Sequence, residues 1–157
     1  MSEFHVHASG RIAALPERVY EILADYRTEH PAIVPRPPFT TVEVLEGGVG
    51  EGTRIDVGMR VLGTERRIQG TVSEPQPGRV LAEIYDDPVV GSTTFTVDPT
   101  DDGATSLTIA TRGKTPHGGL LGQIEEILFG WLLKPVYVNE IRLIEARARA
   151  ARPKMPE

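Results

Sequence analysis

The sequence predicts an α+β fold of order β-α-α-β6-α, seven antiparallel strands with one long helix at the C-terminus. Three observations predict it. Phe4, Val6, Ala8, Gly10 and Ile12 alternate with His5, His7, Ser9 and Arg11, the two-residue period of a strand with one buried face. Between Thr40 and Arg112 six further strand-like runs follow one another across short turns, and spacings this short mean antiparallel hairpins. From about Gly119 to Ala150 the strand pattern disappears, and a helix of roughly 30 residues there would be a rod about 45 Å long that crosses the whole molecule.

The elements follow in order. After the first strand, "ALPERVYEILADY" places Pro16 where a first helical turn accepts it, and Val19, Ile22 and Leu23 form the apolar stripe of a short amphipathic helix. "HPAIVPRPPF" allows at most a helical turn near Glu29 to Ile33, because its prolines remove donors and bias each preceding residue away from α. "TTVEVLEG" then turns through the glycines of "GGVGEG" into "TRIDVGMRVLG", where Ile55, Val57, Met59 and Val61 alternate with Arg54, Asp56 and Arg60. Four more strands are expected in "TERRIQGTVSE", "RVLAEIYDD", "GSTTFTVDP" and "TSLTIATRG". For the final helix the expected apolar face is Leu121, Ile124, Leu128, Trp131, Pro135, Val138 and Ile141.

Composition narrows the function classes. With 157 residues and 17.2 kDa the chain suits one domain, expected over residues 1–150 with a frayed tail at 151–157. It has no cysteine, which removes disulfides, thiolate metal sites and cysteine nucleophiles. A net charge of -5 argues against a nucleic-acid partner. The start "MSEFHVHASG" lacks the features of a signal peptide, and "ILFGWLL" falls far short of the roughly 20 residues that span a bilayer. A cytoplasmic protein without an integral membrane segment is expected.

The stretch "RIAALPERVYEILADYRTEHP" resembles the opening pattern of the START-like superfamily, also called SRPBCC, and "GWLLKPVYVNEIRLIEARA" is similar to its final helix. Within the superfamily the chain looks like the polyketide cyclase/dehydrase group. The resemblance covers nearly the whole chain and implies the helix-grip fold, a curved sheet wrapped around the C-terminal helix with a cavity between them. It identifies a fold better than a reaction. An interior proline costs about 3 kcal/mol, which burial of aromatic surface can offset. The bent middle of the helix, with Phe129, Trp131, Pro135 and Val138, is therefore expected to form one wall of an apolar ligand pocket, opposite inward strand residues Val57, Met59, Ile68 and Phe95. The plainer reading is that these residues fill core.

The polar candidates for catalysis are Arg66, Tyr26, Tyr85 and His30. Arg66 shares strand parity with Ile68, Gly70 and Val72, so it should point inward, toward Glu83 or a ligand oxygen, or splay into solvent. Tyr26 and His30 are either an ordinary surface loop or a tyrosine–imidazole pair near the cavity mouth, able to orient or deprotonate a phenol or ketone. Which of Glu83 and Tyr85 or Ala82 and Ile84 face inward stays open. The threonines of the sixth strand read as exposed, His117 as a loop residue, and Asn139 and Glu140 as solvated. His5 and His7 share a strand face, but the sequence places no third ligand, so neither metal nor cofactor is expected. No Ser/His/Asp order, phosphate loop or HExxH helix is present.

Three functions remain. The first is binding of a small hydrophobic molecule such as a lipid, isoprenoid or polycyclic aromatic. The second is a cyclase or dehydratase acting on a poly-ketone or aromatic precursor, and the third a protein-interaction module. Either a monomer or a homodimer fits.

Overall fold

Every expected apolar–polar alternation becomes a strand. The computed structural model describes residues 2–61, with Val61 by its backbone alone, and 63–150; the expectation of a frayed tail at 151–157 lies outside the described residues. Strands β1 (Glu3–Ile12), β2 (Phe39–Glu46), β3 (Arg54–Val61), β4 (Thr64–Gln76), β5 (Val80–Tyr85), β6 (Val90–Pro99) and β7 (Thr105–Lys114) form one sheet in the order β1-β7-β6-β5-β4-β3-β2. All neighbours are antiparallel. The connection from β1 to β2 carries helix α1 (Pro16–Ala24) and one 3₁₀ turn at His30–Ala32. That turn stands where the expected order had a second helix, and the surrounding prolines explain why it stops after one turn.

Helix α2 spans Gly119–Ala150 and packs along β1 and against α1. Close approach depends on Gly10: a Cβ there would sit 3.0 Å from Ile141 Cγ2. Gly10→Val should therefore push α2 off β1 and cost about 1–3 kcal/mol of overpacking strain, read as a lowered urea midpoint with an unchanged slope.

The buried face of α2 differs from the expected one. Tyr137, Glu140, Ile141, Ile144 and Ala148 are buried, with Phe129, Leu133 and Val136 packed against the core. Of the expected stripe only Ile141 lies inside; Leu121, Ile124, Leu128, Trp131, Pro135 and Val138 are exposed. The N-terminal half carries apolar residues on both its outer and its inner face, so periodicity there could not choose between them. What decides is the sheet: the aromatic ring of Phe129 stacks on Phe4 of β1 at 4.7 Å, which turns Trp131 outward to 81% exposure.

The glycine-rich loop between β2 and β3 does more than reverse the chain. Gly48 O accepts from Tyr26 N at 2.9 Å, Gly50 N donates to Ala24 O at 2.9 Å, and Asp25 and Val49 form an isolated bridge. The loop thus clamps the end of α1. A Cβ on Gly48 would overlap the Arg27 side chain, which donates to Gly47 O. The left-handed backbone at Gly47, Gly50 and Gly52 makes the tight path possible.

Candidate functional site

Between the sheet and the middle of α2 lies a cavity of about 510 Å³. Its throat is apolar, with Val42 of β2, Val57 and Met59 of β3, Ile68 of β4 and Phe129, Leu133 and Val136 of α2. Exposed Pro37, Arg60, Arg66 and Leu132 stand at the mouth, and Tyr26, His30, Glu83, Thr93, Tyr137 and Glu140 are buried at the inner end. Strand parity produces this division: residues on alternate positions of β3, β4 and β5 project to the same side of the sheet.

The inner end is organised around Glu83. Tyr26 OH donates to its Oε1 at 2.5 Å, and Tyr85 OH donates to its Oε2. His30 Nε2 lies 3.5 Å from Oε1. The other imidazole nitrogen faces Leu23 O at 2.7 Å; a carbonyl can only accept, so Nδ1 carries the proton and Nε2 is bare. The rings of His30 and Tyr26 stack at 4.2 Å, and Phe95 meets His30 edge-on. A chain of hydroxyls joins Thr93 Oγ1 to Thr111 Oγ1 at 2.7 Å and Thr111 to Tyr137 OH.

Burial sets the protonation states. It pushes the phenols of Tyr26 and Tyr85 well above their ordinary range, with the charge of Glu83 adding to the effect, and raises Tyr137 to about 12. Burial also holds the His30 imidazole below its usual value, against the opposing pull of Glu83. Glu140 is raised well above the usual carboxyl range, first by burial and then by the charge of Glu83. It makes no hydrogen bond to a described residue, and its carboxyl opens on the cavity beside Tyr137 and Glu83.

The His30 shift predicts a pH effect. A depressed folded value means that the unfolded chain binds the proton more readily, so this contribution to stability is present above the unfolded value of about 6.5 and is lost as pH falls toward the folded value. Urea midpoints measured from pH 7.5 to 5 should decline below about 6.5 in the native protein and decline less in His30→Asn, whose amide keeps a donor for Leu23 O without titrating.

The structure places all four polar candidates on the cavity lining, Tyr26, His30 and Tyr85 together around Glu83 and Arg66 apart at the mouth. Tyr26, at 1% exposure, and His30, at 3%, are neither a surface loop nor at the mouth; the clamp on α1 and the bond to Glu83 carry them to the inner end. Tyr85 faces inward with Glu83, and its ring lies over Gly70, where a Cβ would come within 2.8 Å. Arg66 stays half exposed at the mouth, tied to Asp87 at 2.7 Å. Of the expected wall residues, Phe129, Val57, Met59, Ile68 and Phe95 line the cavity. Trp131, Pro135 and Val138 do not, because the face of α2 that carries them points outward.

Two inner residues read differently in the sequence. Glu140 is buried rather than solvated, and Thr93 is buried rather than exposed. Glu140 is three residues beyond Tyr137, one turn along the same helix face, so its burial follows once that face is known. His117 is exposed and pairs with Glu125, as a loop residue would. His5 and His7 stack their rings at 5.5 Å on the exposed side of β1, and no group of three metal-ligating side chains occurs among the described residues. No described helix is long and apolar enough to cross a membrane.

Comparison with known proteins sets this geometry in context. Residues 3–149 match the family model described as polyketide cyclase / dehydrase and lipid transport. No curated protein sequence matches the chain significantly. Among solved structures, the KanY protein is similar at 22% identity and a TM-score of 0.80, over 96% of this chain and 100% of that one. The Zhui aromatase/cyclase from a Streptomyces species, strain R1128, is similar at 21% identity and 0.74, over 97% of each chain. A START superfamily protein from Mycobacterium smegmatis is similar at 16% identity and 0.67, over 92% of this chain and 97% of that one. These structures share the helix-grip architecture of one antiparallel sheet and a long C-terminal helix.

Proposed function

Because this chain belongs to the polyketide cyclase / dehydrase and lipid transport family, we propose that it binds a small hydrophobic molecule, the size of a polycyclic aromatic or an isoprenoid, between the sheet and α2. The supporting observation is the cavity itself. Its volume of about 510 Å³ falls in the range of small-molecule sites, and its throat is apolar while a few polar groups converge at one end. Calorimetric titration with lipids, quinones and polycyclic phenols tests the reading. Saturable one-to-one binding by one class supports it; no binding by any class counts against it.

A second reading, a cyclase or dehydratase acting on a poly-ketone or aromatic precursor, draws on the buried cluster of Tyr26, His30, Glu83 and Tyr85. A carrier of plain hydrocarbon has no use for such a cluster, and burying one is costly. In this reading the apolar throat folds a flexible ketone chain, His30 Nε2 accepts a proton from the carbon between two carbonyls, and a tyrosine hydroxyl protonates the oxygen of the carbonyl attacked. The two readings separate in Tyr26→Phe. Turnover lost by about 10²–10⁴-fold with binding kept supports an enzyme, whereas parallel loss of both supports a binding role.

A further inference from the structure

We propose that the inner end of the cavity is a subsite for a hydrogen-bond-donating head group, an amine or a phenolic hydroxyl, received by Glu140 and Glu83. This inference rests on the cavity reading above and adds to it the chemistry and orientation of the ligand. It follows from counting donors and acceptors. The O–H groups of Tyr26 and Tyr85 are both spent on Glu83, and the N–H of His30 is spent on Leu23 O. Thr93, Thr111 and Tyr137 make two bonds with three hydroxyls, which leaves one O–H over. Against this stand the remaining lone pairs of Glu83, the bare Nε2 of His30 and the carboxyl of Glu140, which has no partner among the described residues.

Even with the spare hydroxyl hydrogen and the O–H that Glu140 carries when protonated, the inner end holds more acceptor lone pairs than donors. Among the lining residues the arginines, Arg60 and Arg66, both sit at the mouth, and the basic side chain at the inner end, His30, faces Glu83 and Leu23 O instead. A ligand presenting an N–H or O–H would meet a cavity-lining carboxyl that no described protein group bonds. A ligand ending in a carboxylate or an ether would place acceptor against acceptor. Plain hydrocarbon would leave Glu140 as costly as it is in the empty cavity.

Matched naphthalenes test this with the full chain by calorimetry at one pH: 2-naphthol, 2-(2-naphthyl)ethylamine, 2-methoxynaphthalene and 2-naphthoate. The donor-bearing pair should bind at least about tenfold more tightly than the methoxy and carboxylate probes, the worth of one charge-assisted hydrogen bond. Glu140→Met should narrow that gap to under about threefold, and Glu140→Gln provides a second, near-isosteric variant; melting curves confirm that each is folded. A tighter amine identifies the head as cationic, and a tighter naphthol identifies it as phenolic. Equal binding by the methoxy probe, or a preference that survives both variants, would overturn the subsite while leaving the cavity reading standing. Binding by none of the probes would overturn the subsite, and the lipid and quinone titrations then decide the cavity reading separately.

Discussion

Glu140→Met raises the melting temperature and Glu83→Met lowers it, although both substitutions remove a buried carboxyl from the same cavity. Glu140 has no hydrogen-bond partner among the described residues, so no protein donor offsets the desolvation of its carboxyl at the inner end of the cavity. A methionine of similar length relieves about 1–3 kcal/mol of that cost, several degrees for a chain of this size at about 2–4 °C per kcal/mol. Glu83 is the reverse case. It accepts from Tyr26 and Tyr85, and its removal strands two buried hydroxyls at about 1–3 kcal/mol each. The carboxyl of Glu140 also carries a pH signature. Its folded value is raised, so its contribution to stability is fully present below the unfolded value of about 4.5 and is lost as pH rises through the folded value. The advantage of Glu140→Met over the native chain should therefore widen from about pH 4.5 to pH 8, as seen by differential scanning calorimetry. A variant that melts below the native protein at every pH would show that Glu140 is paired in solution.

Val57→Trp blocks the cavity. Val57 pairs with Val42 on one side and Ile68 on the other, and all three line the throat. An indole at the centre of that row has the open volume in front of it, so overpacking should cost no more than about 1–3 kcal/mol of stability. Affinity for 2-naphthol should fall by at least about tenfold, or 1.4 kcal/mol, because the ring occupies the ligand's place. Trp131→Phe is the matched control: Trp131 is 81% exposed on the outer side of α2, and its replacement should leave the affinity unchanged. The reverse pattern would place binding on the outer face of α2.

Much of this was legible in the sequence, for reasons that differ by element. Strands have an unambiguous two-residue period, so parity alone set Val57, Met59, Ile68 and Phe95 on the concave side. The extent of α2 was equally clear, from Gly119 to Ala150, but its rotation was not. Leu120, Leu121, Ile124, Ile127, Leu128, Trp131 and Leu132 give its first half an apolar outer face that competes with the inner one of Phe129, Leu133 and Val136, and the contact of Phe129 with Phe4 shows which side is inside. The aromatic and the proline suggested a wall because buried aromatic surface offsets a helix defect; here the tryptophan is on the outside and offsets nothing. The inner cluster was half legible. Tyr26 and His30 stood out as residue types, but their burial depends on Glu83, 57 positions from Tyr26, and on a glycine loop that clamps the end of α1. Such long-range pairing leaves no trace in local periodicity.

The most direct measurement is methyl NMR of the full chain labelled at Ile, Leu and Val, titrated with 2-naphthol. Binding in the cavity predicts shift changes at Val57, Ile68, Leu133 and Val136, with Leu120, Ile127 and Leu128 on the outer face of α2 unmoved. Changes confined to those outer residues, or none at all at saturating probe, would contradict it.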